Sequence, residues 1–178
     1  MMRDLAAIFE EAETTGLKFL VIGGLAVISH GHSRSTFDAD LAVRRSELGE
    51  WKQLLFKFGF AVRHEQDTFV QFAPPLVGMW PVDLMLLNDG TFDLLYSDAQ
   101  PASIAGRSCR IPALERLIAM KLHALKHGTV GRRDQDMGDV VELMQIGHID
   151  PASRSFGALC VKYGTGEIHD EIRTRLKR

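Results

Sequence analysis

At 178 residues, 46% of them hydrophobic and 25% charged, the chain has the size of one domain, or of a domain with a small helical extension, and enough apolar side chains for a real core. Lys and Arg number 21 against 23 Asp and Glu, a net charge of −2, which argues against a dedicated electrostatic nucleic-acid binder and leaves room for a local basic patch. Cys109 and Cys160 lack metal-ligand spacing, the N-terminus lacks the apolar core of a secretion signal, and no apolar run nears the roughly 20 residues of a membrane span, so a soluble cytoplasmic protein with reduced thiols is expected.

In chain order, Leu5, Ile8 and Phe9 recur at helical spacing ahead of Gly16, and an amphipathic helix is expected over 3–15. KFLVIGG reads as a buried strand ending at Gly23-Gly24, and 25–29 as a short helix. His30 and His32 flank Gly31 in a polar connector and read as ordinary loop residues rather than metal ligands. A second strand is expected over 37–43, with Asp38 and Asp40 on one face and Phe37, Ala39 and Leu41 on the other. Ser46 reads as the cap of a helix running to about 58 and closed by Gly59.

Strands are expected over 60–63 and 68–72 around a polar HEQD turn, and over 80–87, where Asp83 interrupts an apolar run. Asn88-Asp89-Gly90 reads as a turn, 91–97 as a short helical turn, and 102–111 as a hairpin or strand bending at Gly106-Arg107. Pro112 is expected in the first turn of a long helix ending at Gly128, followed by a helix over 134–146 and a tail of one or two helices split at Gly164–Gly166. Arg173, Arg175, Lys177 and Arg178 make a basic end, read as a solvated helix terminus in preference to an RNA-binding patch. The order predicts an α/β or α+β fold, a mixed β-sheet with helices packed on it and a helical C-terminal part, divided at about 1–112 and 113–178 within one compact unit.

Three carboxylates, Asp38, Asp40 and Asp83, lie in apolar strand contexts where an unpaired charge is costly. Two strand steps separate Asp38 from Asp40 by roughly 6.5–7 Å, and a neighbouring strand carrying Asp83 would let the three converge on Mg²⁺ or Mn²⁺. Glycines after a strand let backbone N–H groups approach phosphate. Together these features suggest phosphoryl chemistry on a nucleotide, which needs positioning and charge stabilisation but no protein nucleophile.

The ordered stretch GGLAVISHGHSRSTFDADLAV resembles the signature of the DNA polymerase beta-like nucleotidyltransferase superfamily, and is most similar to its AbiEii-type toxin and minimal nucleotidyltransferase branch. Gly23, Gly24, Arg34, Thr36, Asp38 and Asp40 match a GG…R-x-T-x-D-x-D pattern, Asp83 in PVDLML matches the third carboxylate, and ALERLIAMKLHAL followed by RRDQDMGDVVEL is similar to the branch's lysine helix and R-D-x-x-D segment. The resemblance spans about residues 19–143. It implies transfer of NMP from an NTP to a hydroxyl on a protein, an RNA 3′ end such as that of tRNA, or a small molecule. It also implies metal binding by Asp38, Asp40 and Asp83, with Asp83 helping to deprotonate the acceptor, and phosphate contacts from Lys121. A toxin–antitoxin or abortive-infection setting, with a cognate antitoxin as partner, is implied by the branch alone.

From the residues themselves, Lys121 reads equally as a surface lysine laying its stem on an apolar helix, and Arg34 reads as a phosphate or structural partner near the site in preference to a salt-bridging loop residue. Asp136 and Asp139 read first as helix-start carboxylates pairing with Lys121 or Arg133. Gly24 departs from the Gly-Ser of many superfamily members, so one phosphate-touching hydroxyl is absent. A non-catalytic nucleotide-binding or partner-binding module of the same fold, antitoxin-like, is the alternative.

Overall fold

A computed structural model describes residues 2–128 and 130–177; Arg178, counted above in the basic end, lies outside the described residues. The chain divides into two compact units, one of residues 1–29 with 34–113 and one of 30–33 with 114–178.

The first unit runs α1 (Met2–Thr14), β1 (Phe19–Val21), α2 (Gly23–Ser29), β2 (Ala39–Arg44), α3 (Leu48–Lys57), β3 (Ala61–Gln66), β4 (Phe69–Ala73), β5 (Val82–Leu87), α4 (Asp89–Ser97), β6 (Gln100–Ile104) and β7 (Arg107–Ile111). Strands β1 to β5 form one mixed sheet in the order β1-β2-β5-β4-β3, in which only β2 and β5 pair parallel. β6 and β7 form a separate two-stranded ribbon. The ribbon turns at Ala105 and Gly106, whose φ of 55° and 75° suit a tight primed turn.

Strand alternation builds the core. Val82, Leu84 and Leu86 on β5, Val70 and Phe72 on β4, and Ala39, Leu41 and Val43 on β2 are all buried. Helix α1 contributes Phe9, whose ring lies 4.8 Å from Phe19, and Phe19 meets Trp51 of α3 edge-on at 5.8 Å. Burying such large apolar side chains contributes roughly 1.5–3 kcal/mol each. The opposite face of β5 carries Asp83, Met85 and Leu87, which are half-buried or exposed.

Several expected boundaries move for physical reasons. Ser46 does not cap a helix: a 3-10 turn over Arg45–Glu47 precedes α3, and the Ser46 hydroxyl donates instead to Asp89 Oδ1 at 2.8 Å. Asn88 is not a turn residue but the cap of α4, its Oδ1 accepting from Thr91 N at 2.9 Å. β3 extends through His64, Glu65 and Gln66, so most of the expected HEQD turn is ladder. β2 begins at Ala39, leaving Phe37 exposed and Asp38 just ahead of the ladder.

The second unit is helical: α5 (Leu114–His127), α6 (Arg133–Ile146), α7 (Arg154–Tyr163) and α8 (Gly166–Arg175). α5 starts two residues after Pro112 rather than on it. α6 buries Met137, Val140, Leu143 and Met144 on one stripe, together with the carboxylate of Asp139. Ser153 and Thr165 cap α7 and α8, accepting from Phe156 N and Ile168 N. Arg133 bonds Glu171 at 2.8 Å and, with Arg175 also at 2.8 Å, holds its carboxyl below the usual carboxylate range. Among the described residues no helix is long and apolar enough to cross a membrane.

Candidate active site

Register assembles the site in the first unit. On the parallel pair β2 and β5, Asp40 and Asp83 are direct partners, and on the antiparallel pair β5 and β4, Asp83 is the partner of Gln71. Register partners point to the same face, so Asp40, Asp83 and Gln71 form a row across the centre of the sheet, on the face away from the buried Leu41 and Leu84. Gln71 Nε2 donates to Asp83 Oδ2 at 2.8 Å, fixing that carboxylate's orientation. Sequence reasoning missed Gln71, because a glutamine alternating with Val70 and Phe72 reads as an ordinary solvent-facing strand residue. Only the register reveals its partner.

Ahead of β2, burial alternates through the segment: Arg34, Thr36, Asp38 and Asp40 are half-buried, while Ser33, Ser35 and Phe37 are exposed. An extended backbone thus presents these four side chains to the unit although Arg34, Thr36 and Asp38 lie outside any ladder. Thr36 Oγ1 donates to Asp38 Oδ1 at 2.6 Å, and Arg34 Nη1 donates to the Ser35 carbonyl at 2.9 Å.

The glycine pair acquires a specific meaning here. A Cβ on Gly23 would lie 1.8 Å from Asp40 Oδ2, and one on Gly24 would lie 2.4 Å from Thr36 Oγ1 and 2.9 Å from Arg34 Nη2. Gly23 also has φ +58°, a conformation that side-chain-bearing residues rarely adopt. The absent side chains therefore make room for Asp40, Thr36 and Arg34 over the first turn of α2. A serine at position 24 would place its Cβ in the volume that Thr36 fills.

The donor chemistry suits a hard divalent cation, since Asp40 and Asp83 offer carboxylate oxygens from adjacent strands. Two carboxylates directly opposite in a sheet also repel, which a cation between them relieves. Among the described residues, however, no group of three or more His, Cys, Asp or Glu side chains is arranged to hold a metal ion. The structure brings Asp40 and Asp83 together as partners and sets Asp38 beside Thr36, two residues upstream.

Lys121 belongs to the second unit. Its Nζ lies 2.7 Å from Asp136 Oδ1 and 2.8 Å from Asp139 Oδ2, with Asp139 only 1% exposed. His32 Nε2 stands 3.9 Å from Asp139 Oδ1, and its Nδ1 3.9 Å from Glu142. The lysine thus offsets two carboxylates, one of them fully buried, in a network holding α5 to α6.

No family model matches the chain, and no curated protein matches it. Solved structures do resemble it. The solution structure of the antibiotic-resistance factor ANT(2″)-Ia superposes with a TM-score of 0.60 at 16% identity, covering 99% of this chain and 90% of that one. The lincosamide antibiotic adenylyltransferase LnuA, bound to lincomycin, gives 0.59 at 15% identity over 81% of this chain and 96% of its own. An antigenic nucleotidyltransferase-like protein from Paracoccidioides brasiliensis gives 0.58 at 15%, covering 98% and 89%. The chain has the mixed α/β fold of these nucleotidyltransferase structures.

Proposed function

We propose that the chain is a nucleotidyltransferase that moves NMP from an NTP to a hydroxyl acceptor with Mg²⁺ or Mn²⁺. The observation that carries this reading is the register pairing of Asp40 with Asp83 beside Asp38, on a nucleotidyltransferase fold. In the reaction, an acceptor hydroxyl oxygen bonds to the α-phosphorus, the bond from that phosphorus to the bridging oxygen breaks, and pyrophosphate departs. Asp38, Asp40 and Asp83 are the residues that would hold the cation. Bound there, it would ease ionisation of the hydroxyl and neutralise charge on the triphosphate. Asp83 takes the hydroxyl proton, and Gln71 keeps its carboxylate oriented for that task. Arg34 and Thr36, packed over Gly24, border the nucleotide's phosphates. A phosphate contact from Lys121 would require it to exchange Asp136 or Asp139 for the nucleotide.

Of the acceptor classes, a small molecule is favoured, because two structures of similar fold are named for antibiotic resistance or antibiotic adenylylation. A tRNA 3′ end or a protein acceptor, and a toxin paired with an antitoxin, rest on the sequence resemblance alone. The non-catalytic alternative draws on one observation: among the described residues no three-ligand metal site is pre-assembled.

The deciding experiment incubates the protein with each α-labelled NTP and Mg²⁺ or Mn²⁺, against panels of aminoglycosides and lincosamides, total tRNA and cell extract. Transfer of label that is lost in both Asp40→Asn and Asp83→Asn supports the enzyme. NTP binding without transfer to any acceptor supports the binding module, and equal transfer by the variants overturns the carboxylate mechanism.

A further inference from the structure

The second unit contains a cleft of about 480 Å³, bounded by the end of α6, the connection from α6 to α7, and the end of α8. Its volume falls within the usual range for small-molecule sites. Three basic side chains line it: His148, Arg173 and Lys177. Ile149 and Leu176 supply apolar wall between them, and the one carboxylate on the lining, Asp150, accepts from Ala152 N at 2.8 Å.

The cleft's basic side chains differ from Arg133, Arg175 and Lys121 of the same unit, each of which is held by carboxylates. Arg133 and Arg175 are tied to Glu171, and Lys121 to Asp136 and Asp139. Among the described residues no ion pair engages Arg173, Lys177 or His148. Arg173 lies in the last turn of α8 and Lys177 just past its end, so both border the same cleft. A helix terminus favours cations in general, but Arg175 already meets that preference while pairing with carboxylates.

His148 adds an independent sign. α6 ends in a reversal in which Ile149 N donates to the Met144 carbonyl at 2.9 Å and His148 N to the Gln145 carbonyl at 3.1 Å. The left-handed position of such an ending is usually glycine's. Here Gly147 sits one residue too early, where a Cβ would lie 2.3 Å from Leu114 Cδ2, and His148 takes the left-handed backbone at φ 50°. The fold accepts a strained histidine at the cleft's rim, and strained residues gather at ligand sites.

We propose that this cleft binds a small phosphomonoester, its phosphate among Arg173, Lys177 and His148 and its apolar body against Ile149 and Leu176. Guanidinium and ammonium donors suit a phosphate dianion. The concave shape, the apolar wall and the chain's net charge of −2 favour a compact ligand over a nucleic-acid backbone. The proposal is independent of the nucleotidyltransferase reading.

The test uses phenyl phosphate as probe, with phenol as control, on the ¹⁵N-labelled full chain in EDTA, so that the carboxylate site of the first unit holds no metal. Expected are saturable amide shifts confined to residues 144–152 and 173–177, none with phenol, and affinity reduced about tenfold or more in Arg173→Gln/Lys177→Gln. Both substituted residues are exposed, so the variant keeps its fold, checked by its unperturbed spectrum elsewhere. Absence of saturation, shifts centred on Asp40 and Asp83, or undiminished binding by the double variant would overturn the proposal. Displacement of the probe by a short single-stranded RNA that binds more tightly would overturn it in favour of a nucleic-acid surface.

Discussion

Replacing Gly24 with alanine tests the structural reading of the glycine pair directly. Inside a helix the change ordinarily stabilises by about 0.5–1 kcal/mol, because glycine has more conformational freedom to lose. At position 24 the added Cβ would meet Thr36 Oγ1 at 2.4 Å, Thr36 Cβ at 2.8 Å and Arg34 Nη2 at 2.9 Å. Arg34 can swing aside, being the far end of a flexible side chain. Thr36 cannot do so cheaply, because it is β-branched and bonded to Asp38 at 2.6 Å. Overpacking of this kind costs roughly 1–3 kcal/mol, so a net destabilisation of about 1–2 kcal/mol is expected, a fall in Tm of roughly 3–6 °C. Gly49→Ala supplies the contrast: it lies in α3 of the same unit, and a Cβ there meets nothing within 4 Å, so stabilisation is expected. Urea denaturation of the two variants beside the parent gives the comparison. If Gly24→Ala were as stabilising as Gly49→Ala, Thr36 and Arg34 would not occupy the space assigned to them, and Gly24→Ser would then be expected to enhance activity rather than impair it.

Further outcomes follow from other contacts. Gln71→Leu removes the amide that orients Asp83 and is expected to lower kcat more than tenfold while KM changes little; an unchanged kcat would show that Asp83 needs no such support. Lys121→Met leaves Asp139 buried beside Asp136 without its cation and is expected to destabilise by about 3 kcal/mol or more, measured by denaturation, whereas loss of activity at full stability would identify Lys121 as a nucleotide contact. Burial pushes the thiols of Cys109 and Cys160 up to about 11, so at pH 8 both should resist a disulfide reagent until the protein unfolds, with only roughly a thousandth present as thiolate. Because the folded state raises these pKa values above the ordinary 9.0, the stability they contribute is complete below pH 9 and lost as pH rises towards about 11, which melts across that range would show.

The two strands that carry the site's carboxylates, β2 and β5, could be read from sequence because each is a short apolar run interrupted by aspartate, and α1, α5 and the split tail announced themselves through helical spacing and glycine stops. What sequence could not supply was cross-strand register. The charges of Asp40 and Asp83 are visible in the chain, but their lateral pairing depends on β5 entering the sheet parallel to β2, between β2 and β4. Gln71 was invisible for the same reason. The caps misled where a long-range partner outbid a local one: Ser46 has the right chemistry for a helix start, yet its hydroxyl goes to Asp89, 43 residues away. The glycine pair was ambiguous in sequence, since proximity to phosphate and proximity to packed side chains call for the same residue. The pairing of Lys121 with Asp136 and Asp139 was foreseeable, because the three lie on consecutive helices, but the near-complete burial of Asp139 was not.

The central position of β5 also bears on how the protein comes into being. A growing chain that has emerged only as far as Ala73 contains Gly23, Gly24, Arg34, Thr36, Asp38, Asp40 and Gln71, but lacks the strand that places Gln71 and Asp40 in one row. β1, α2 and β2 can associate early, and β3 with β4 can close as a local hairpin, yet these pieces remain unconnected until β5 is inserted between them. Such non-local pairing is slow because loop closure precedes its reward. The row of Asp40, Asp83 and Gln71 therefore cannot exist before β5, the last of the five strands in chain order, takes its place between β2 and β4.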